Sequence, residues 1–412
     1  MTPANSSSRV ALLLSLAAFG PAFSMRVADP QLPALASAFG ITVSAAAQVV
    51  TMFSIAYGVL QFVYGPLGDR YGKWRVIKIA CFACATTAGA CALASDFFWL
   101  LLARLAAGAT CAAIVPLSLA HLGDTVPYEE RQPVLARFLL GQMTGFAAGQ
   151  LIGGVTVEFS TWRLAYWLIA LCFIAAGLAM TTARRAAAPS VASRSGGLWR
   201  DVPYVLQQPW ARVVLLVVFL EGVLMYGPFV FFPSFLAQRH GVSLAAAGAV
   251  MLCFSLGGVA FSLSSARLVP RLGEPGLARI GGGLLALAFA AVVASPIFWS
   301  APFAVAIVGL GFYLLHNTLQ TNATQMAPAA RGAAVSLFAS AFFIGQTVGV
   351  ALGAIAVHAF GVMPVTLAGG AALALLGWGF ARRRQLGLPE PTAGETAGAS
   401  GGVTGGSADS GH

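Results

Sequence analysis

The sequence predicts an all-α integral membrane protein of twelve transmembrane helices, arranged as two pseudo-symmetric six-helix bundles. Three observations carry that prediction. Of 412 residues, 58% are hydrophobic and 9% charged, and the mean hydropathy is +0.83. A soluble domain carries roughly 25% charged residues, so this chain takes lipid as its main solvent. The basic residues gather in alternate loops, and the chain echoes itself at a shift of 200 residues. At roughly 20 residues per span, the length accommodates about a dozen helices and short loops.

The net charge of +10 is topological. Basic residues cluster at Arg9, at Arg70 to Lys78, at Arg131 and Arg137, and from Arg184 to Arg212. They cluster again from Arg267 to Arg279, at Arg331, and at Arg382 to Arg384. The intervening loops hold only Arg163 and Arg239. Such alternation is what an even number of helices leaves when both termini are cytoplasmic. It places the protein in the cell inner (plasma) membrane and argues against a nucleic-acid partner.

Apolar segments run at 10–35, 44–66, 76–95, 97–120, 137–158 and 162–183. They resume at 211–236, 243–266, 278–295, 301–324, 333–357 and 362–381. The expected organisation is a disordered N-terminus (1–8), a first bundle (9–183), a cytoplasmic linker (184–210), a second bundle (211–384) and a disordered Gly/Ser/Thr-rich tail (385–412). The first apolar stretch is too long for a cleavable signal peptide. The 200-residue shift superposes Arg131 on Arg331, Phe138 on Phe338, Gly145 on Gly345, Gly149 on Gly349 and Gly153 on Gly353. Paired halves characterise secondary transporters, whose substrate site lies between the repeats near the bilayer midplane.

Between the second and third spans lies Gly65-Pro-Leu-Gly-Asp-Arg-Tyr-Gly-Lys-Trp-Arg75. This stretch resembles the loop signature of the major facilitator superfamily. Gly65, Leu67, Asp69, Arg70, Gly72, Lys73 and Arg75 match, and Trp74 stands where a basic residue is common. The resemblance implies the fold of that superfamily and a cytoplasmic latch. In that latch Asp69 meets the positive start of the eleventh helix, near Arg331 to Ala334, while the transporter faces outward. The second-half counterpart, Ser265 to Gly273, lacks the aspartate and is expected to contribute less.

The fourth span carries Arg104 within Leu101-Leu-Ala-Arg-Leu-Ala-Ala-Gly108, similar to the superfamily's helix-4 motif, whose arginine is implicated in proton transfer. An arginine in hydrocarbon is costly unless paired or wetted. On the first span Arg26 and Asp29 lie three apart on one face, followed by Pro30 and Pro33. The expected arrangement is an Asp29–Arg104 pair with Arg26 nearby, serving either proton coupling or static cohesion of helices 1 and 4. In the second half Glu221, ahead of a Gly227-Pro228 break, and His316-Asn317 fall on the matching helices 7 and 10. Counting residues from the helix ends puts Glu221 and His316 at one depth. Either can carry a proton or bind a polar or cationic substrate; a plain interhelical hydrogen bond is the alternative for His316.

The fifth span reads Gly145-Phe-Ala-Ala-Gly149-Gln-Leu-Ile-Gly153-Gly154, which looks like the helix-5 signature of the superfamily's exporters, with Gln150 in place of the usual proline. Glycines at four-residue spacing serve either as an antiport hinge or as a packing groove. Tyr226, Phe229, Phe231 and Phe232 either line a cavity for aromatic or lipophilic substrates or face lipid, and facing lipid is the favoured expectation. Cys81 and Cys84 have no second Cys/His pair, so neither a metal nor a cofactor is expected. No phosphate-binding loop is present, which removes an ATP-driven pump.

Taken with the family resemblance, closest to its drug:proton antiporter branch, the sequence points to a non-enzymatic transporter. It is expected to work as a monomer in the lipid bilayer, exchanging protons for small lipophilic or amphipathic compounds. The alternative is a proton symporter importing an organic anion, with Arg26, Arg104 and His316 as anion ligands.

Overall fold

A computed structural model describes residues 3–126, 128–182 and 198–386, and every regular element among them is helical. The first helix, α1, spans Pro3–Arg26. It therefore begins inside the segment expected to be disordered; Pro3 suits a first helical position because its missing N–H would be unpaired there anyway. A 3₁₀ turn (Asp29–Gln31) separates α1 from α2 (Leu32–Phe39). Pro30 and Pro33 explain that break, since neither has an N–H to donate. Gly40, at φ 65°, ends α2, and Thr42 caps the short α3 (Val43–Ala46) by accepting from Ala45 N at 3.1 Å.

Next come α4 (Gln48–Tyr71), α5 (Lys73–Leu93) and α6 (Phe97–Cys111), the last capped by Asp96 accepting from Trp99 N. Pro116 cannot donate to Ala112, and the chain breaks there before α7 (Ile114–Thr125). α8 (Tyr128–Phe159) and α9 (Trp162–Thr182) complete the first part. The expected linker holds a helix, α10 (Leu198–Gln207), while its positions 184–197, and position 183 before it, lie outside the described residues.

The later helices are α11 (Pro209–Phe229), α12 (Phe232–His240), α13 (Leu244–Ala294), α14 (Ala301–Ala323), α15 (Arg331–Phe360) and α16 (Val362–Leu386). The last of these runs two residues into the expected tail, whose remainder, 387–412, is not described. Ten of the described helical stretches are long and apolar enough to cross a bilayer. One of them, α13, has 51 residues and leaves helical geometry at Gly273 (φ 60°, ψ 174°). Straight, it would measure about 75 Å, more than twice the hydrocarbon thickness.

The backbone repeats as the sequence does. The α4–α5 corner turns at Gly72 (φ 88°), and 201 residues later the chain turns at Gly273. Gly40 and Gly241, again 201 apart, end α2 and α12 with φ of 65° and 62°. Packing follows the same register. The glycine face of α8 seats Gly145, Gly149 and Gly153 against the backbone of Phe19 and Phe23 in α1 and of Val27 just after it. The face of α15 seats Gly345, Gly349 and Gly353 against Phe219, Val223 and Gly227 in α11, each partner displaced by 200. Here the spacing of four serves close backbone packing.

Gly108 of α6 lies so close to α4 that an added Cβ would run into the Phe53 carbonyl. Gly108→Ala is therefore expected to destabilise the fold by about 1–3 kcal/mol through overpacking, read as a lower melting temperature in detergent. An unchanged melting curve would show that α4 and α6 can separate freely.

The two parts of the chain meet along α4 with α15 and α8 with α13. Their contact is tight at the end carrying the Gly40 and Gly241 turns. There Gly248 lies against Gln150 and Pro30, Gly154 against Leu244, and Ala245 N donates to Glu158 Oε2 at 3.3 Å. At the other end Asp69, Arg70, Arg331 and Gly332 are exposed.

Candidate functional site

Charges inside a bilayer must be paired, hydrogen-bonded or wetted. Among the described residues, four Asp, Glu, Lys or Arg side chains lie nearly or wholly buried: Arg26 (6% exposed), Asp29, Arg104 and Glu221 (each 0%). Where each finds its partner defines the site.

Asp29, in the 3₁₀ turn, lies 3.6 Å from Arg26 Nη1 and accepts a hydrogen bond from Gln150 Nε2 at 3.0 Å. Its Oδ1 has no hydrogen-bond partner among the described residues. Arg26 Nη2 reaches across to Gln346 Oε1 of α15 at 3.5 Å, and Gln346 Nε2 donates to Ser54 Oγ of α4 at 2.8 Å. The Arg26 guanidinium lies 4.3 Å from the centre of the Tyr226 ring and 5.7 Å from that of Phe146. Residues 26 and 226 are repeat mates, as are 146 and 346, so Arg26 occupies a point where equivalent surfaces of the two parts converge.

Arg104 departs from the expected Asp29–Arg104 pair. It donates from Nε to Val49 O (3.0 Å) and from Nη1 to Ser24 O (2.9 Å), and lies 4.4 Å from the Phe53 ring centre. Ser24 belongs to the last turn of α1, whose carbonyls lack helical donors. A guanidinium there satisfies one of them and complements the helix dipole. Ser24 is five residues before Asp29, about 7.5 Å along a helix axis, and Arg26 stands closer to the carboxylate. Full burial also excludes snorkelling.

Glu221 and His316 do meet, with His316 Nδ1 at 2.8 Å from Glu221 Oε2. Glu221 Oε1 has no hydrogen-bond partner among the described residues. The imidazole stacks on Phe312 (4.9 Å between centres, 16° between planes) and is flanked by Phe342 at 4.7 Å and Phe338 at 5.4 Å. Phe342 also packs edge-on to Tyr226, so the histidine, the aromatic cluster and Arg26 form one continuous patch. Tyr226, Phe229, Phe231 and Phe232 are all buried rather than facing lipid; Tyr226 packs on Phe312 and Phe342, Phe229 on Phe254 and Phe232 on Phe289. Asn317 does not join this cluster among the described contacts; its backbone carbonyl accepts from Thr321 Oγ1.

At the α4–α5 corner, Lys73 lies 3.3 Å from Asp69 and 2.5 Å from Asp124. Asp69 is engaged there rather than with the start of α15, and Arg331 and Gly332 stand exposed. The expected latch is therefore open in this structure, whose two parts are closed at the opposite end. Arg70 lies over the Tyr71 ring at 5.2 Å, Gly65 and Gly72 have open space around them, and Arg75 is exposed. After Gly273, Glu274 binds Arg384 Nε at 2.7 Å and accepts from Asn322 Nδ2 at 3.0 Å, while Trp210 Nε1 donates to Asn322 Oδ1. The second corner thus has an acid of its own, one residue beyond the expected motif.

Sequence reasoning did not reach Gln150 as a ligand of Asp29, nor Gln346, Ser54, Asp124 and Glu274. For the two glutamines a signal existed: an amide in an apolar, glycine-lined helix needs a polar partner. Gln150 also stands where the helix-5 signature has proline. No group of three His, Cys, Asp or Glu that could hold a metal occurs among the described residues, and the six cysteines are free.

Comparison with known proteins assigns the family. The model of the Major Facilitator Superfamily matches residues 14–350. The chain belongs to this superfamily. It is 25% identical over 335 residues to the uncharacterized MFS-type transporter YceJ of Bacillus subtilis (strain 168), covering 79% of this chain and 83% of that protein. Over 157 residues it is 26% identical to the multidrug export protein EmrB of Haemophilus influenzae (strain ATCC 51907 / DSM 11121 / KW20 / Rd), covering 38% and 31%. The fold is similar to that of a D-xylose-proton symporter, with a TM-score of 0.72, 13% identity, and 90% and 97% of the two chains covered. The protein is a multi-pass membrane transporter of small molecules, not an enzyme, and its relatives agree with the drug:proton antiporter branch it resembles.

Proposed function

We propose that this superfamily member is a proton-coupled exporter that exchanges protons for small lipophilic or amphipathic compounds by alternating access. The observation that carries the proposal is the pair of buried acid–base contacts, Arg26–Asp29 at the end of α1 and Glu221–His316 between its counterpart α11 and α14, joined by an aromatic patch. Among the described residues, each carboxylate keeps one oxygen without a hydrogen-bond partner, a position open to a proton. The surrounding Phe and Tyr rings offer an apolar or cationic compound a matching surface.

In this reading Gly273 divides α13 into two passes and α8 supplies one more than the ten apolar stretches. The total is then twelve, six on either side of positions 183–197. Both termini and the Asp69 corner lie in the cytoplasm, as the loop charges favour, the membrane is the plasma membrane, and one chain suffices. The structure is then the inward-open state, and Asp69 docks on the start of α15 when the transporter turns outward. Arg70, Lys73 and Arg75 share that gate with Gly65 and Gly72. Import of an organic anion is less well supported, because Arg104 is wholly buried on protein carbonyls and Arg26 already has Asp29.

Flux in proteoliposomes with an imposed pH gradient tests the proposal. A substrate such as a fluorescent lipophilic cation is expected to move against the proton flow. Movement in the same direction would establish symport instead.

A further inference from the structure

The α4–α5 corner borders a cavity unrelated to the central site. It has a volume of about 280 Å³ and opens on the outer surface of α4, α5 and α6, lined among others by Tyr64, Tyr71, Arg75, Ile79, Ala83 and Thr110. The Tyr64 hydroxyl is turned inward, donating to Ala109 O at 2.9 Å, and Thr110 bonds to Thr87 and to its own helix, so the wall is chiefly apolar. Arg75 is the exception. It stands exposed at one end of the groove, with no ion pair or hydrogen bond among the described residues. Its neighbour Lys73, in contrast, is held by two aspartates.

Length and charge together select the occupant. From Arg75 to Ala83 the groove follows α5 for eight residues, about 12 Å. That is close to the depth of one leaflet, half of a roughly 30 Å hydrocarbon core. A ligand that fills it needs an anionic group at the aqueous rim and an apolar chain reaching toward the midplane. We propose that this groove is a binding site for a single anionic phospholipid, its phosphate on Arg75 and an acyl chain along Ile79 and Ala83. Basic residues at the cytoplasmic surface attract anionic lipid by about 1 kcal/mol each; here one of them stands at the mouth of a chain-sized groove. The choice of the inner leaflet rests on the orientation proposed above, but the binding itself does not.

Native mass spectrometry of the purified full-length protein, equilibrated with equal amounts of phosphatidylglycerol and phosphatidylcholine, reads the site. Wild type is expected to retain phosphatidylglycerol preferentially, and Arg75→Gln to lower that preference about fivefold. Ala83→Phe, which fills the inner part of the groove, is expected to reduce retained lipid of both kinds. Arg271→Gln, at an exposed arginine of the second corner, is expected to leave the preference unchanged. An unchanged preference in Arg75→Gln overturns the site, and so does an equal loss in Arg271→Gln, which would signify a general pull by the basic face. Displacement of the lipid by soluble glycerol phosphate would leave a phosphate site without a role for the chain, and would overturn the lipid assignment. None of these outcomes depends on the direction of transport.

Discussion

Glu221→Gln is expected to cut transport driven by a pH gradient by about 5–150-fold while leaving the protein folded. Glutamine keeps the shape of the side chain and can still hydrogen-bond His316, so the 2.8 Å contact survives in altered form. What is lost is the titrating carboxyl, whose second oxygen has no hydrogen-bond partner among the described residues. Coupling free energies between two ligands of one protein are typically 1–3 kcal/mol, a factor of about 5–150. Proteoliposome flux under an imposed gradient is expected to fall by a factor in that range, while substrate still equilibrates down its own gradient. Retained uphill flux would remove Glu221 from the coupling mechanism and leave His316 in a static hydrogen bond.

The largest structural effect is expected at Arg104. Its guanidinium fastens the last turn of α1 to α4 through Ser24 O and Val49 O, and it is fully buried against Phe53. Hydrogen bonds made by a charged donor contribute about 1.5–3 kcal/mol each. Arg104→Ala is therefore expected to cost several kcal/mol and to leave a cavity between α1, α4 and α6. The readout is the melting temperature and the monodisperse fraction in detergent. Arg104→Lys, with a single point charge in place of a planar fork, is expected to recover only part of the loss. A variant that melts like wild type but no longer transports would move Arg104 from scaffold to coupling.

The contrast between Arg104 and Glu221 shows how far a sequence reaches into a membrane site. Both were legible as charges in hydrocarbon, because nothing but pairing or function tolerates them there. For Glu221 and His316, depth alone brought the partners together, since each sits mid-span on helices that the repeat makes neighbours. For Arg104 depth was not enough. Arg26, Asp29 and Arg104 all lie within about two turns of one another in height, and the choice among them depends on helix rotation. The α1–α2 break settles that rotation. It frees the carbonyl of Ser24 for Arg104, and it brings Asp29 to Arg26 and Gln150. The aromatic run from Tyr226 to Phe232 is left open by the sequence between lipid and interior for the same reason, and packing on α13, α14 and α15 sets it inward.

By itself the sequence determined the solvent, the helical class, the loop that marks the family and the repeat. These follow from composition, charge alternation and spacing, which are properties of the chain taken one residue at a time or at a fixed shift. Only the tertiary structure decided which buried charge meets which. It set Gln346 between Arg26 and Ser54, released Asp69 to Lys73, and supplied the second corner with Glu274. Periodicity fixes how deep a side chain lies along its helix, but the azimuth that aims it comes from interhelical packing and proline breaks. A contact across two helices requires both.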